Sequence, residues 1–319
     1  MKISTLTTAS PPKATLQFSV GPASASNEVG WTNQAVASKS FADFIGVASS
    51  TDEKPLHWYV ACRLVVEGGF NPDDITPRPP FRVERRAGEA PVLHHAPERT
   101  DGGERGGLGG LKLDNADVVV THDGVGPALA VSFASVTGAF GNFIDRLPET
   151  TAQCTNAHLA YPEMVLGHFV LLRTEHHIDD AIDAFTDDTE TDNSRLDRTA
   201  KVIAITLGGG PVSEIVRVHD ALSKLVERRG LRHDSRRFDA IGLVIAEMHA
   251  DGCCQVRTSY PPSDSVLGLE RFFAVLYQRY DERFVTSASD QASTIPRLKW
   301  AANSPGLEIL SGLKSVAGS

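Results

Sequence analysis

With 319 residues, 41% of them hydrophobic and 22% charged, the chain has the composition of an ordinary globular protein able to bury a large core. No run approaches the roughly 18 apolar residues of a membrane span, and Lys2 is followed by Ser, Thr and Pro rather than an apolar signal core, so a cytoplasmic location is expected. The formal charge of −9 speaks against a surface that grips nucleic acid everywhere and leaves local basic patches as the candidates.

Residues 1–38, rich in Ser, Thr, Ala and Pro, read as a disordered or loosely attached arm. Asp52-Glu53-Lys54-Pro55 opens a helix that Leu56, Tyr59, Val60, Arg63, Leu64 and Glu67 continue at helical spacing and Gly68-Gly69 ends. The stretch 71–110 is rich in Pro, Gly and Arg and reads as an extended loop with one edge strand over Phe81 to Arg85. Next come a β-branched run, Ala116 to Thr121, and a second apolar run, Ala128 to Ser135, around His122-Asp123-Gly124-Val125-Gly126-Pro127. The Asp-Gly pair supplies a hairpin turn, so the two strands should pair antiparallel. Phe140, Phe143, Ile144 and Leu147 then recur at helical spacing. Pro148 should kink or end that helix, leaving Thr155, Asn156 and His158 in the segment before a central strand over Met164 to Leu172.

The acids between Glu175 and Asp197 read as a solvated loop, although His176, His177 and their neighbours also invite a metal reading. An apolar run from Leu196 to Leu207, Gly208-Gly209-Gly210-Pro211 and a helix over Val212 to Arg229 follow. A strand, glycine loop and helix would cradle phosphate. The same glycines also fit a turn between two helices, and the run lacks the Lys-Ser/Thr of a P-loop. Phe238 to Met248 is a strand apolar on both faces, and Ser265 to Phe284 is an amphipathic helix. The expected organisation is an α/β domain over 39–285, with 286–319 a flexible tail. Cys62, Cys154, Cys253 and Cys254 make no disulfide framework; the adjacent pair also admits a soft metal or redox reading.

The hairpin carries the chemistry. Asp117 stands at the start of its first strand, and Ser132 and Ala134 stand two apart, hence on one face, in its second. Together with GAFGNFIDR and CTNAHLAYPEMVLGHFVLLR downstream, this arrangement resembles the core of the PD-(D/E)XK nuclease superfamily, which includes many type II restriction endonucleases. The resemblance implies a restriction-endonuclease-like central mixed β-sheet flanked by helices. It also implies a metal-dependent DNA endonuclease using Mg²⁺, and a homodimer matched to a symmetric duplex. By register Asp117 falls at the family's first acid, as metal ligand, while Ser132 replaces the second acid and Ala134 the lysine. Cleavage then needs another acid, with Glu104 and Glu67 ranked ahead of Asp114, which could simply cap the strand; Lys112 is the candidate substitute for the lysine.

Arg82, Arg85, Arg86 and Arg105, with Asn142 and Arg146 on the following helix, are the candidates for phosphate contact. A solvated basic face is the plain reading of the same residues, and of a second cluster from Lys224 to Arg237. Because two of three catalytic positions are replaced, the alternative to the endonuclease is a non-catalytic DNA-binding or structural protein on a nuclease-like scaffold. A weaker third reading is a nucleotide-binding protein built around Gly208 to Gly210.

Overall fold

A computed structural model describes residues 54–99, 116–137, 140–175, 211–230, 234–248, 254–257, 259–286 and 294–307. The arm over 1–38, the Gly208–Gly210 loop, Asp114, Lys112, the acids from His176 to Asp197 and Cys253 all lie outside the described residues.

The chain begins with α1 (Lys54–Val66), the short β1 (Ile75–Thr76) and a ribbon of β2 (Phe81–Glu84) with β3 (Val92–His95). Then come β4 (Val118–His122), β5 (Gly126–Thr137), α2 (Phe140–Ala160) and β6 (Val165–Glu175). The later elements are α3 (Ser213–Ser223), β7 (Ala240–Met248), β8 (Cys254–Val256) and α4 (Leu269–Tyr280). Among the described residues these strands form a six-stranded mixed sheet in the order β1-β4-β5-β6-β7-β8. β4 pairs antiparallel with β5; Gly124 in the turn between them and Gly126 at the start of β5 have positive φ. β6 lies parallel beside β5, and β7 parallel beside β6. A parallel neighbour requires a crossover, which α2 supplies between β5 and β6.

Strand alternation sorts the core into two layers. Val118, Val120, Leu129, Val131, Phe169, Leu171 and Val244 pack against Tyr59, Val60 and Leu64 of α1 and Phe272, Phe273 and Leu276 of α4. Their neighbours Val119, Ala130, Val170, Leu172, Ile241, Leu243 and Ile245 face the other way, against Phe143 and Leu147 of α2 and Ile215, Val218 and Leu222 of α3. Each fully buried Phe contributes about 2 to 3 kcal/mol. Gly167 lets α4 approach the sheet closely, because a Cβ there would stand 3.1 Å from the Phe272 ring. Among the described residues no helix is long and apolar enough to cross a membrane.

Several expectations are corrected. α2 does not end near Pro148; it carries that residue inside and continues to Ala160, so Thr155, Asn156 and His158 are helical. The buried stripe Phe143, Leu147, Cys154 and His158 keeps helical spacing across the proline, and its packing offsets the one backbone bond that proline removes. α3 stops at Ser223 rather than near Arg229, because Phe238 N–H donates to Leu225 O and Arg228 N–H to Phe238 O, drawing the chain out of the helix. α4 gives way at Asp281 to a π turn over Asp281–Thr286. The loop read over 71–110 contains the β2–β3 ribbon, whose second strand had no alternating apolar signal. Within the stretch read as a flexible tail, residues 294–307 form a docked strap. Leu298 N–H donates to Gly69 O at 2.7 Å, Trp300 Nε1–H to Val65 O at 2.8 Å and Ala301 N–H to Pro91 O at 2.9 Å.

Candidate functional site

The site is built where β4, β5 and β6 lie side by side. Asp117 stands at a bend just before β4. Its Oδ2 accepts the Phe133 N–H at 2.8 Å, and its Oδ1 lies 3.7 Å from Nε2 of His57 on α1. The His57 ring in turn packs on Phe133, with centroids 4.7 Å apart. The Asp117 carboxylate is thereby held on the α1 side of the sheet, 29% exposed.

Ser132 faces the other layer. In the β5–β6 register it is opposite His168, and its Oγ lies 2.9 Å from His168 Nδ1. The imidazole stacks on Phe238 at 5.0 Å and 23°. Burial pushes the His168 pKa down to about 4, so the ring is neutral near pH 7. Its Nε2 is buried without a hydrogen-bond partner among the described residues. Ala134 follows two positions later on the same side, packed against the cluster under α2 and α3. Asp117, Ser132 and Ala134 therefore do not converge on one point: the carboxylate turns toward α1, and the hydroxyl and methyl turn toward α2 and α3.

Glu67 is committed elsewhere. Its Oε2 accepts from Arg63 Nε at 2.9 Å, and Arg63 spans on to Glu270 with contacts of 3.2 and 3.0 Å. The guanidinium also lies 3.9 Å over the Phe273 ring. Burial raises the Glu67 pKa against the opposing pull of Arg63. Glu67 thus neutralises a buried cation between α1 and α4 and does not reach the hairpin. Glu104 and Arg105 lie outside the described residues, as does the side chain of Asn142.

The basic candidates are spread over two surfaces. Arg82, Arg85 and Arg86 are exposed on and beyond β2, at the free end of the ribbon. Arg86 pairs with Glu84, whereas Arg82 and Arg85 have no ion pair with a described residue. Arg146 is exposed on α2, in the layer opposite α1.

The donors around Asp117 do not make up a magnesium centre among the described residues. Mg²⁺ takes oxygen ligands in a near-octahedral set, and here one carboxylate stands beside an imidazole. No group of three or more His, Cys, Asp or Glu side chains among the described residues is placed to hold a metal.

Sequence reasoning missed His57 and His168, and neither announces itself. His57 lies in an unremarkable helical run, and His168 becomes a partner of Ser132 only through the strand register. It also missed a buried polar knot beneath the end of α2. There Asp239 is fully buried, accepts the Leu166 N–H at 2.9 Å and pairs with Arg283 through both carboxylate oxygens. His158 Nδ1 donates to Ser235 O at 3.1 Å in the same region. Burial pushes the His158 pKa down to about 4 and holds the Cys154 thiol well above its ordinary value. No family model, curated protein or solved structure matches the chain.

Proposed function

We propose that the chain is a DNA-binding protein on a restriction-endonuclease-like scaffold whose hairpin lacks the full acid-and-lysine set for cleavage. The order of elements supports the scaffold: a helix, an antiparallel hairpin with an acid at its start, a crossover helix and a parallel strand. The observation that carries the non-cleaving half is the Ser132 to His168 hydrogen bond. At the position where cleavage calls for a second metal-holding carboxylate, a neutral hydroxyl is engaged by a buried neutral imidazole. Ala134 supplies no charge where a lysine would steer water and offset the charge developing on phosphate.

The DNA half is supported by the ribbon. A two-stranded β-ribbon has the width to enter a major groove, and Arg82 and Arg85 are exposed on this one. A symmetric duplex would suit a two-fold dimer, which sedimentation with and without DNA would reveal.

The deciding experiment incubates supercoiled plasmid with Mg²⁺ or Mn²⁺ and the intact protein or Asp117→Ala, with a gel shift over a salt series alongside. The expected result is retention that weakens with salt and no nicking by either protein. Nicking that requires Asp117 would overturn the non-cleaving half and restore the metal-dependent endonuclease, with Glu104 the acid to test next. Neither nicking nor retention would sink both DNA readings.

A further inference from the structure

A groove of about 760 Å³ lies open between α2 and α3. Along α2 its lining recurs at Ile144, Leu147, Thr151, Thr155 and Leu159. That is every third or fourth position, so the groove follows one helix face for about four turns, roughly 22 Å. Ala221 and Leu225 line the opposite wall. The lining also includes Thr151, Thr155 and Asn156; the hydroxyls of Thr151 and Thr155 donate to Leu147 O and Thr151 O of their own helix at 2.8 and 2.9 Å, which leaves their methyl groups to face the groove. Leu159 is 61% exposed at the end of this face.

The ionisable residues lining this groove are Lys224 and Arg236, both exposed cations. Asp145, Glu149 and Asp220 are on the same helices but outside the lining. An aliphatic channel one helix long with a cationic rim, on a chain of net charge −9, is complementary to one kind of occupant.

We propose that this groove docks an acidic amphipathic helix of a partner protein. Its aliphatic side chains, at i, i+3, i+4 and i+7, fill the floor between α2 and α3, and its flanking carboxylates meet Lys224 and Arg236. Duplex DNA suits the surface less, since two cations beside an aliphatic floor offer phosphates little and leave the leucines unused. The site is separate from the ribbon that carries the proposed DNA contacts, so the two readings stand or fall independently.

Fluorescence anisotropy with the full chain tests the proposal. One probe is a labelled peptide of about 16 residues, roughly four turns, with leucines at helical spacing flanked by glutamates; the second has lysine at every glutamate. The glutamate peptide is expected to bind saturably and at least about ten-fold more tightly than the lysine peptide. The double variant Lys224→Glu with Arg236→Glu should weaken it by about ten-fold or more and reverse the preference, while Leu159→Asp should weaken both peptides. All three positions are exposed, and unchanged melting curves establish that the variants are folded. Equal binding of the two peptides, or glutamate-peptide binding indifferent to the variants, overturns the proposal. It is also overturned if a short DNA duplex displaces the peptide, which makes the groove a phosphate surface. The same holds if the chain self-associates in a way that Leu159→Asp abolishes, which makes a second copy the occupant.

Discussion

Ser132 Oγ lies 2.9 Å from His168 Nδ1, tying the second hairpin strand to its parallel neighbour inside the layer beneath α2 and α3. Because His168 Nε2 already lacks a hydrogen-bond partner among the described residues, Ser132→Ala would take the ring's hydrogen bond away. The expected loss is about 1 to 2 kcal/mol of stability in urea denaturation, with DNA retention unchanged. Retention that falls while stability holds would instead assign Ser132 to the DNA surface.

The two buried histidines make stability depend on acid. His168 and His158 are pushed by burial from an ordinary value of 6.5 to about 4. The unfolded chain therefore takes up protons between those values while the folded chain does not. The stabilisation is fully present above about pH 6.5 and is lost as pH falls toward 4. For His168 alone the effect is roughly 3 kcal/mol. Denaturation midpoints measured from pH 7 to pH 4.5 should fall steadily, and less steeply in His168→Phe, which keeps a ring against Phe238. A flat profile would mean that neither histidine is kept neutral by the fold.

Arg63 is 1% exposed and is shared by Glu67, Glu270 and the Tyr59 hydroxyl. Arg63→Ala should destabilise the chain by about 3 to 5 kcal/mol, because Glu67 is left buried without its counter-charge. Adding Glu67→Gln should recover part of that loss in thermal melts. If the second change adds to the damage, Glu67 has a role apart from neutralising Arg63.

Gly69 has φ +67°, and a Cβ there would stand 2.1 Å from Leu298 O. Gly69→Ala combines a left-handed backbone with that clash and should displace the strap over 294–307 from the end of α1. Limited proteolysis would show new early cleavage in this stretch together with a lower Tm. A protection pattern like that of the parent chain would mean that the strap is held without Gly69.

For DNA, Arg82→Ala and Arg85→Ala should each reduce the slope of log affinity against log salt by about one, without regard to sequence. Arg86→Ala should change it less, because Arg86 is already paired with Glu84. Equal effects from all three would place the contact beyond the ribbon.

The elements that frame the site are readable from local pattern. Val118–Val120 are β-branched, the run through Val131 is apolar, Asp123-Gly124 supplies the turn, and the stripe from Leu56 to Leu64 has the helical period. These features depend on neighbours in the chain, and neighbours are what a sequence displays. That Ser132 and Ala134 share one face of the second hairpin strand also follows from strand alternation. What surrounds these residues was decided by the tertiary structure. Ser132 meets His168 only when β6 lies parallel to β5 in this register, since a shift of one residue would turn every side chain to the opposite layer. Asp117 meets His57 only because α1 packs on that face. Glu67 turns away from the hairpin because a buried arginine and a distant glutamate, Glu270, hold the guanidinium that binds it. Pro148 stays inside a helix because the buried stripe on either side of it offsets the missing bond. Each of these is a contact between segments far apart in the chain, whose energy appears only once the layers have closed.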